Sequence, residues 1–345
     1  MRRLVGTLAV TLVVVALALV MGCGSSGPGT SPGPSVGTAG KPSAPAAYTI
    51  MRVGPVGGRA TASAFDVSRP VSGGSPCVVG TLQPSPFPGY AWIIEALCGS
   101  LNPLGGNVSY GRGVSNAGDK AAGNSYTEDG VTRACLWPIT GGIPGPAIPL
   151  SVEDASFQSE AEGINSSGTM VVGRAQFTST GDFFHAAVWP SSGGSVTDLG
   201  ILVPSSLPDP PAEDSAAAVN DSGWVVGMSG RTAWYGDPGA PNYHKAYSGR
   251  AFLWKNGAME ELLPLPGEDP YYSTGPSAIN NRGQVVGKSG QHAAIWESGS
   301  RVATELGRPK PTTAVTWARD INENGQVVGE LINEDAWSYK AAIWK

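Results

Sequence analysis

Charge is scarce in this chain, and long apolar runs are scarcer. Only 14% of its 345 residues are charged, and beyond the first two dozen residues no stretch is apolar enough for a membrane-crossing helix of about 20 residues. Uninterrupted helical periodicity is absent, which argues against a helical domain. Three histidines with no local ligand cluster argue against a metal site, and no cofactor is expected. No Gly-x-Ser-x-Gly elbow, glycine-rich phosphate loop or calcium-loop spacing occurs. Basic residues are too few for a polyanion. Without Arg2 and Arg3, 20 basic residues face 27 acidic ones, and such a balance speaks against nucleic acid as a partner.

What is present begins with Met1-Arg2-Arg3 and an apolar run from Leu4 to Val20. A basic start, an apolar core and a small residue before the cut describe a secretory signal. Val20-Met21-Gly22-Cys23 resembles the lipobox of bacterial lipoproteins. That resemblance implies cleavage after Gly22, a signal peptide over 1–22, and a lipid (diacylglycerol and palmitate) on Cys23. Gly24 to Ala47 is nearly all Gly, Ser, Pro, Thr and Ala, with Lys41 its only charge. Such a segment cannot bury enough apolar surface to order itself, so 23–47 reads as a tether reaching about 25–30 Å. The expected location is extracytoplasmic, with the lipid as anchor to the cell membrane.

Residues 48–345 carry a repeat. Ile164-Asn165-Ser166-Ser167-Gly168-Thr169-Met170-Val171-Val172-Gly173 has counterparts in Val219–Gly227, Ile279–Gly287 and Ile321–Gly329. Each is followed by a basic residue, an alanine, two small or apolar residues and a tryptophan: His185–Trp189, Arg250–Trp254, His292–Trp296 and Lys340–Trp344. Weaker copies run from Val114 to Trp137 and from Val67 to Ile94. The six starts, 67, 114, 164, 219, 279 and 321, give a period of about 50 residues, the size of a propeller blade. Asn-x-x-Gly matches a type I turn between two strands. The tryptophan segment supplies a third strand, and a fourth follows near Leu199-Gly200 or Leu306-Gly307. The last copy stops before its fourth strand, while Tyr48–Gly54 reads as one. The expected fold is therefore all-β, a six-bladed β-propeller of four-stranded antiparallel blades closed by the N-terminal strand.

These units resemble the HAF-repeat family of extracellular repeat proteins, named for a His-Ala-Phe triplet. The resemblance covers about 48–345. No copy spells the triplet, although His185 and His292 keep the histidine and Arg250-Ala251-Phe252 keeps the other two. It implies export and a repeat fold, and no activity.

In such blades the short turns share one face, and the long connections share the other. Those long connections are read as loops over Ser229–Gly249, Ile201–Asp214, Leu265–Ser277 and Arg308–Thr316. Function concentrates on variable loops above a rigid scaffold. The candidate ligand-binding residues are Trp234, Tyr235, Asp237, Tyr243, His244, Tyr271 and Tyr272, since exposed aromatics beside an acid and a base suit a sugar or a peptide. The expected role is binding of carbohydrate or an envelope protein by a monomer. A polysaccharide hydrolase or lyase at the channel mouth, using carboxylates such as Asp237, Glu268 and Asp269, is the first alternative. A structural surface protein is the second. The basic residue four before each tryptophan is expected to lay its stem over that ring, with a cation–π contact. Cys77 and Cys98 are the candidate disulfide, and Cys135 is expected as a buried small side chain.

Overall fold

The computed structural model describes residues 60–67, 77–84, 90–94, 99–181, 183–202, 213–235, 244–268, 274–307, 314–333 and 338–344. Tyr48–Gly54, Cys23, Cys98, Asp237, Tyr243, Asp269, Tyr271 and Tyr272 lie outside them. Every long regular element among the described residues is a strand, and the strands form six antiparallel sheets taken in chain order. The first holds β1 (Ala60–Val67), β2 (Val78–Pro84), β3 (Tyr90–Ile94) and β4 (Gly99–Ser100). The second holds β5 (Gly105–Val114), β6 (Lys120–Thr127), β7 (Thr132–Thr140) and β8 (Ile143–Pro144), with β9 (Ile148–Pro149) also on β7. The third holds β10 (Ser159–Ile164), β11 (Met170–Gln176), β12 (Phe184–Pro190) and β13 (Thr197–Asp198). The fourth holds β14 (Glu213–Val219), β15 (Val225–Tyr235), β16 (His244–Lys255) and β17 (Ala258–Leu262). The fifth holds β18 (Thr274–Ile279), β19 (Val285–Ser289), β20 (His292–Trp296) and β21 (Thr304–Glu305). The sixth has three strands, β22 (Ala314–Ile321), β23 (Val327–Asn333) and β24 (Ser338–Trp344). Four-stranded antiparallel meanders of this kind are the blades from which β-propellers are built.

First strands touch in succession, β1 to β5, β10, β14, β18 and β22, which places them on the inside. Each of them carries a bulge at the same place, at Phe65, Arg112, Glu162, Ala217, Ser277 and Arg319. The bulge explains the glycine of Val-Val-Gly. A Cβ on Gly173 would stand 1.9 Å from the Glu160 carbonyl oxygen, and one on Gly227 2.1 Å from that of Ser215. The second strand must therefore be bare where the bulged strand presses into it.

The asparagine turn is built as the sequence implies, and it does more. In the third sheet Gly168 N donates to Asn165 O at 2.9 Å, while Asn165 Oδ1 accepts from the amides of Thr169 and Met170. Asn280 Oδ1 holds the amides of Arg282 and Gln284 in the same way. In the fourth and fifth sheets the side-chain amide also crosses to the next sheet. Asn220 Nδ2 donates to Asn280 O at 3.0 Å, and Asn280 Nδ2 to Asn322 O at 3.1 Å. The same residue thus folds its own turn and ties it to its neighbour.

Tryptophans of the third strands fill the space between sheets. Trp137, Trp189 and Trp296 are buried, and each indole N–H reaches a carbonyl that follows the preceding sheet: Asn102, Ser151 and Leu263, all at 2.8 Å. In the first sheet the register sets Trp92 opposite Gly80 and Ile94 opposite Val78, so Ile94 occupies the tryptophan position.

Among the described residues, the residue four before the tryptophan does not make the expected cation–π contact in the second to fifth sheets. His185 Nδ1 pairs with Asp198 at 3.0 Å, Arg250 with Glu261 at 3.0 Å, and His292 Nδ1 with Glu268 at 2.9 Å. Arg133 donates to the carbonyls of Ala155 and Phe157. Acceptors on the fourth strand (Asp198, Glu261) or on a neighbouring connection (Glu268, the Ala155 and Phe157 carbonyls) take these groups, and the tryptophan rings are packed by apolar side chains.

Cys135 is buried as expected, and burial pushes its thiol far above the ordinary thiol range. Cys77 is buried too, with Sγ 3.7 Å from the Gly118 carbonyl oxygen.

Candidate ligand-binding face

A first strand enters from the side of the long connections and ends at the asparagine turn. The residues five and three before that asparagine (or before Ser115, which takes its place in the second sheet) therefore sit on the inner strands toward the side of the long connections. They are Tyr110 and Arg112, Glu160 and Glu162, Ser215 and Ala217, Gly275 and Ser277, Trp317 and Arg319. Residues around them follow the repeat, whereas these do not. That is the mark of positions free of a shared structural duty.

Two charged groups result. Between the second and third sheets, Arg112 Nε lies 3.6 Å from Glu162 Oε2. Arg174, opposite Glu160 on β11, grips one carboxylate oxygen of Glu160 through Nε at 2.9 Å and a second nitrogen at 2.7 Å. The Arg174 guanidinium lies 4.6 Å from the Phe184 ring centre. Burial raises the Glu162 carboxyl above the ordinary range; Glu160 adds to this, while Arg112 and Arg174 pull it back. Burial also raises the Tyr110 phenol.

Between the fifth and sixth sheets, Trp317 Nε1 donates to Ser277 Oγ at 3.0 Å. Arg319 lies 3.5 Å and Lys288 4.6 Å from the Trp317 ring centre. Arg319 also pairs with Glu330. Next to it, Asp320 is open to solvent, yet the enclosing protein raises its carboxyl pKa against the pull of the Ile321 amide. The fourth sheet contributes only Ser215 and Ala217 here, leaving that wall small and uncharged. Charge, aromatic rings and a low wall together suit a polar ligand that is hydrogen-bonded from several sides.

The strands β15 and β16 overturn one expectation. Ser229–Gly249 is largely ladder, because pairing continues from Gly230↔Gly249 through Trp234↔Lys245 to Tyr235↔His244. Those six rungs carry the hairpin about 20 Å beyond the Ser229↔Arg250 pair, at about 3.3 Å per residue. Alternating Arg231-Thr232-Ala233-Trp234-Tyr235 against His244-Lys245-Ala246-Tyr247-Ser248 is rich in β-formers, and the pairing wins over a free loop. Trp234, Tyr235 and His244 are thus set on a ribbon. Glu268 also differs from its expected place as a channel acid, since it holds His292 and accepts from Ser289 Oγ.

A separate junction, between the third and fourth sheets, gathers His185, Asp198 and Asp214. Four other sheets place a serine or threonine at the Asp214 position: Ser109, Ser159, Thr274 and Thr316. The last three hydroxyls accept from the amides of Ala134, Ala251 and Ala293. Asp214 is buried, with Oδ1 on the Gly230 amide at 3.1 Å and Oδ2 without a hydrogen-bond partner. Burial pushes its carboxyl up to about 6, opposed by Ser229, His185 and Gly230. Burial opposes the charged form of His185, but Asp198 and Asp214 outweigh it and raise the imidazole.

No family model and no curated protein matches the chain. Among solved structures, the β-propeller domain of the Trilobed protease from Pyrococcus furiosus is similar over 82% of this chain and 83% of its own, at 13% identity and a TM-score of 0.48. A putative TolB from Agrobacterium tumefaciens is similar over 81% of this chain and 80% of its own, at 12% identity and a TM-score of 0.41. Acylaminoacyl peptidase from Pyrococcus horikoshii is similar over 82% of this chain and 45% of its own, at 15% identity and a TM-score of 0.46. Likeness at such identities concerns fold and not chemistry.

Proposed function

We propose that this is an envelope-anchored extracytoplasmic lipoprotein, lipidated at Cys23, whose repeat domain is a six-bladed propeller that binds carbohydrate or protein on one face. In this reading the HAF-type repeats of 48–345 form the ring, and Tyr48–Gly54 supplies the fourth strand of the last blade. The binding face is the side of the long connections, with the channel mouth at its centre. One observation carries the reading. The repeated residues are consumed in turns and inter-sheet bonds, while Tyr110, Arg112, Glu160, Glu162, Trp317 and Arg319 break the repeat in two groups on the inner strands, on the side of the long connections. Trp234, Tyr235 and His244 stand on the long hairpin that extends from the same side.

The test is glycan-array and envelope pull-down binding by the full-length chain in detergent. A saccharide or envelope protein should be retained by wild type and lost from Arg112→Ala or Trp317→Ala, with Trp234→Ala weakening it. Release of oligosaccharide from a polysaccharide would instead favour catalysis, and binding indifferent to all three substitutions would defeat the proposed face.

A further inference from the structure

Most sheets have one face covered by the next. Leu136, Leu253 and Ile295 occupy the same place on the third strands of the second, fourth and fifth sheets, each opposite the second valine or its equivalent: Ala122, Val226 and Val286; in the third sheet the place is held by Val188, partly buried opposite Val172. Each of the first three packs into a cluster with residues of the following sheet. They are 5%, 8% and 8% exposed. Ile343, opposite Val328 in the sixth sheet, has the same place and is 48% exposed. Among the described residues, no packing of the kind that links the other first strands joins β22 back to β1.

A polar residue marks the same face. The position after each bulge looks forward onto the next first strand. A Cβ on Gly113 would lie 3.1 Å from Ile164 N, and one on Gly163 3.0 Å from Ala217 O. In the first sheet this position is Asp66, whose Oδ2 accepts from Val114 N at 2.8 Å. In the sixth it is Asp320, which among the described residues takes only the Ile321 amide, at 2.8 Å. In the first sheet Val67 holds the place of Val114, as the last pair of its hairpin.

We propose that the face bearing Ile343 and Asp320 is a docking seam for the first sheet of the same chain, with Asp320 accepting the Val67 amide as Asp66 accepts that of Val114. The first sheet suits the role. Ala161, Val171, Ala187 and Trp189 cover Leu136, and the register sets Ala64, Val78, Trp92 and Ile94 at the matching positions of the first sheet. All four are apolar. A strongly exposed isoleucine and a carboxylate, both opposite Val328 on the sixth sheet, match the four apolar residues and the Val67 amide that the first sheet offers. The seam rests on the six-bladed reading above and adds its closing contacts. Ligand binding is read separately, so either can fail alone.

Hydrogen exchange on the full-length chain in detergent, with its mass by light scattering, tests the seam. Peptides holding Val67 and residues 48–54 should be protected in a particle of one chain. Asp320→Ala should speed exchange of the Val67 peptide at least tenfold and leave the Val114 peptide unchanged, with Asp320→Asn restoring part of the protection. Ile343→Asp should expose the same peptides while the second to fourth sheets stay protected. Exchange of the Val67 peptide at free-chain rates in wild type would overturn the seam. So would protection found only in a particle of two chains, which would assign the face to a second copy.

Discussion

Replacing Asp214 by threonine should stabilise this protein, and more so in alkali. Threonine is what the fifth and sixth sheets carry at this position, and there its hydroxyl accepts an alanine amide from the preceding sheet. Asp214 instead buries a carboxylate with one oxygen unpartnered. Its carboxyl rises from an ordinary 3.8 to about 6. A raised carboxylate costs stability once ionised. The cost is complete above pH 7, falls as pH drops through 6, and vanishes below the unfolded value. With about 1.4 kcal/mol for each tenfold change, the full cost is on the order of 3 kcal/mol at pH 8 and about half that at pH 5. Loss of the attraction between Asp214 and His185 offsets part of this, leaving a net gain of about 2 kcal/mol at pH 8. His185 acts in the same direction, because its raised imidazole stabilises the fold at acid pH and ceases to do so as pH rises through its folded value. Asp198, held below the ordinary range despite its burial by His185 and the Gly200 amide, contributes above 3.8 and is lost in stronger acid. Urea unfolding at pH 5, 6.5 and 8 measures the difference. A variant no more stable than wild type at pH 8, or a gap that does not change with pH, would refute the reasoning.

Other outcomes follow from contacts already described. Gly173→Ala sets a methyl 1.9 Å from the Glu160 carbonyl oxygen and should cost about 1–3 kcal/mol, the usual range for overpacking, read as a lower unfolding midpoint. Trp189→Phe removes the pyrrole ring of a buried indole and the 2.8 Å bond to Ser151 O, so it should cost about 2–3 kcal/mol. Asn280→Ala removes the hold on its own turn and the bond to Asn322 O, for a loss of about 2 kcal/mol. Cys135, buried and with its thiol pushed far up, should resist thiol reagents at pH 8 until the chain unfolds, as followed by mass spectrometry.

The local code of this protein is written in its sequence. Asn-x-x-Gly sets the first turn, Lys255-Asn256-Gly257-Ala258 sets a two-residue hairpin with both central residues at positive φ, and the recurring spacing fixes strand order and sheet number. These depend on neighbours a few residues apart, so a single chain can be read for them. Tertiary structure alone decided what crosses between sheets. The bulge that makes Gly173 obligatory, the carboxylates that claim His185 and Arg250, and the Asn220–Asn280 bond join residues set on different strands or different blades. Spacing along one chain cannot rank such partners, because they meet only when sheets pack. The grouping of unrepeated side chains on the inner strands belongs to this second class. Tyr110, Glu160 and Trp317 look like loose variation in a repeat until the inner strands are brought side by side. Apolar pattern also underestimated β15 and β16, where backbone pairing continued through residues that read as loop.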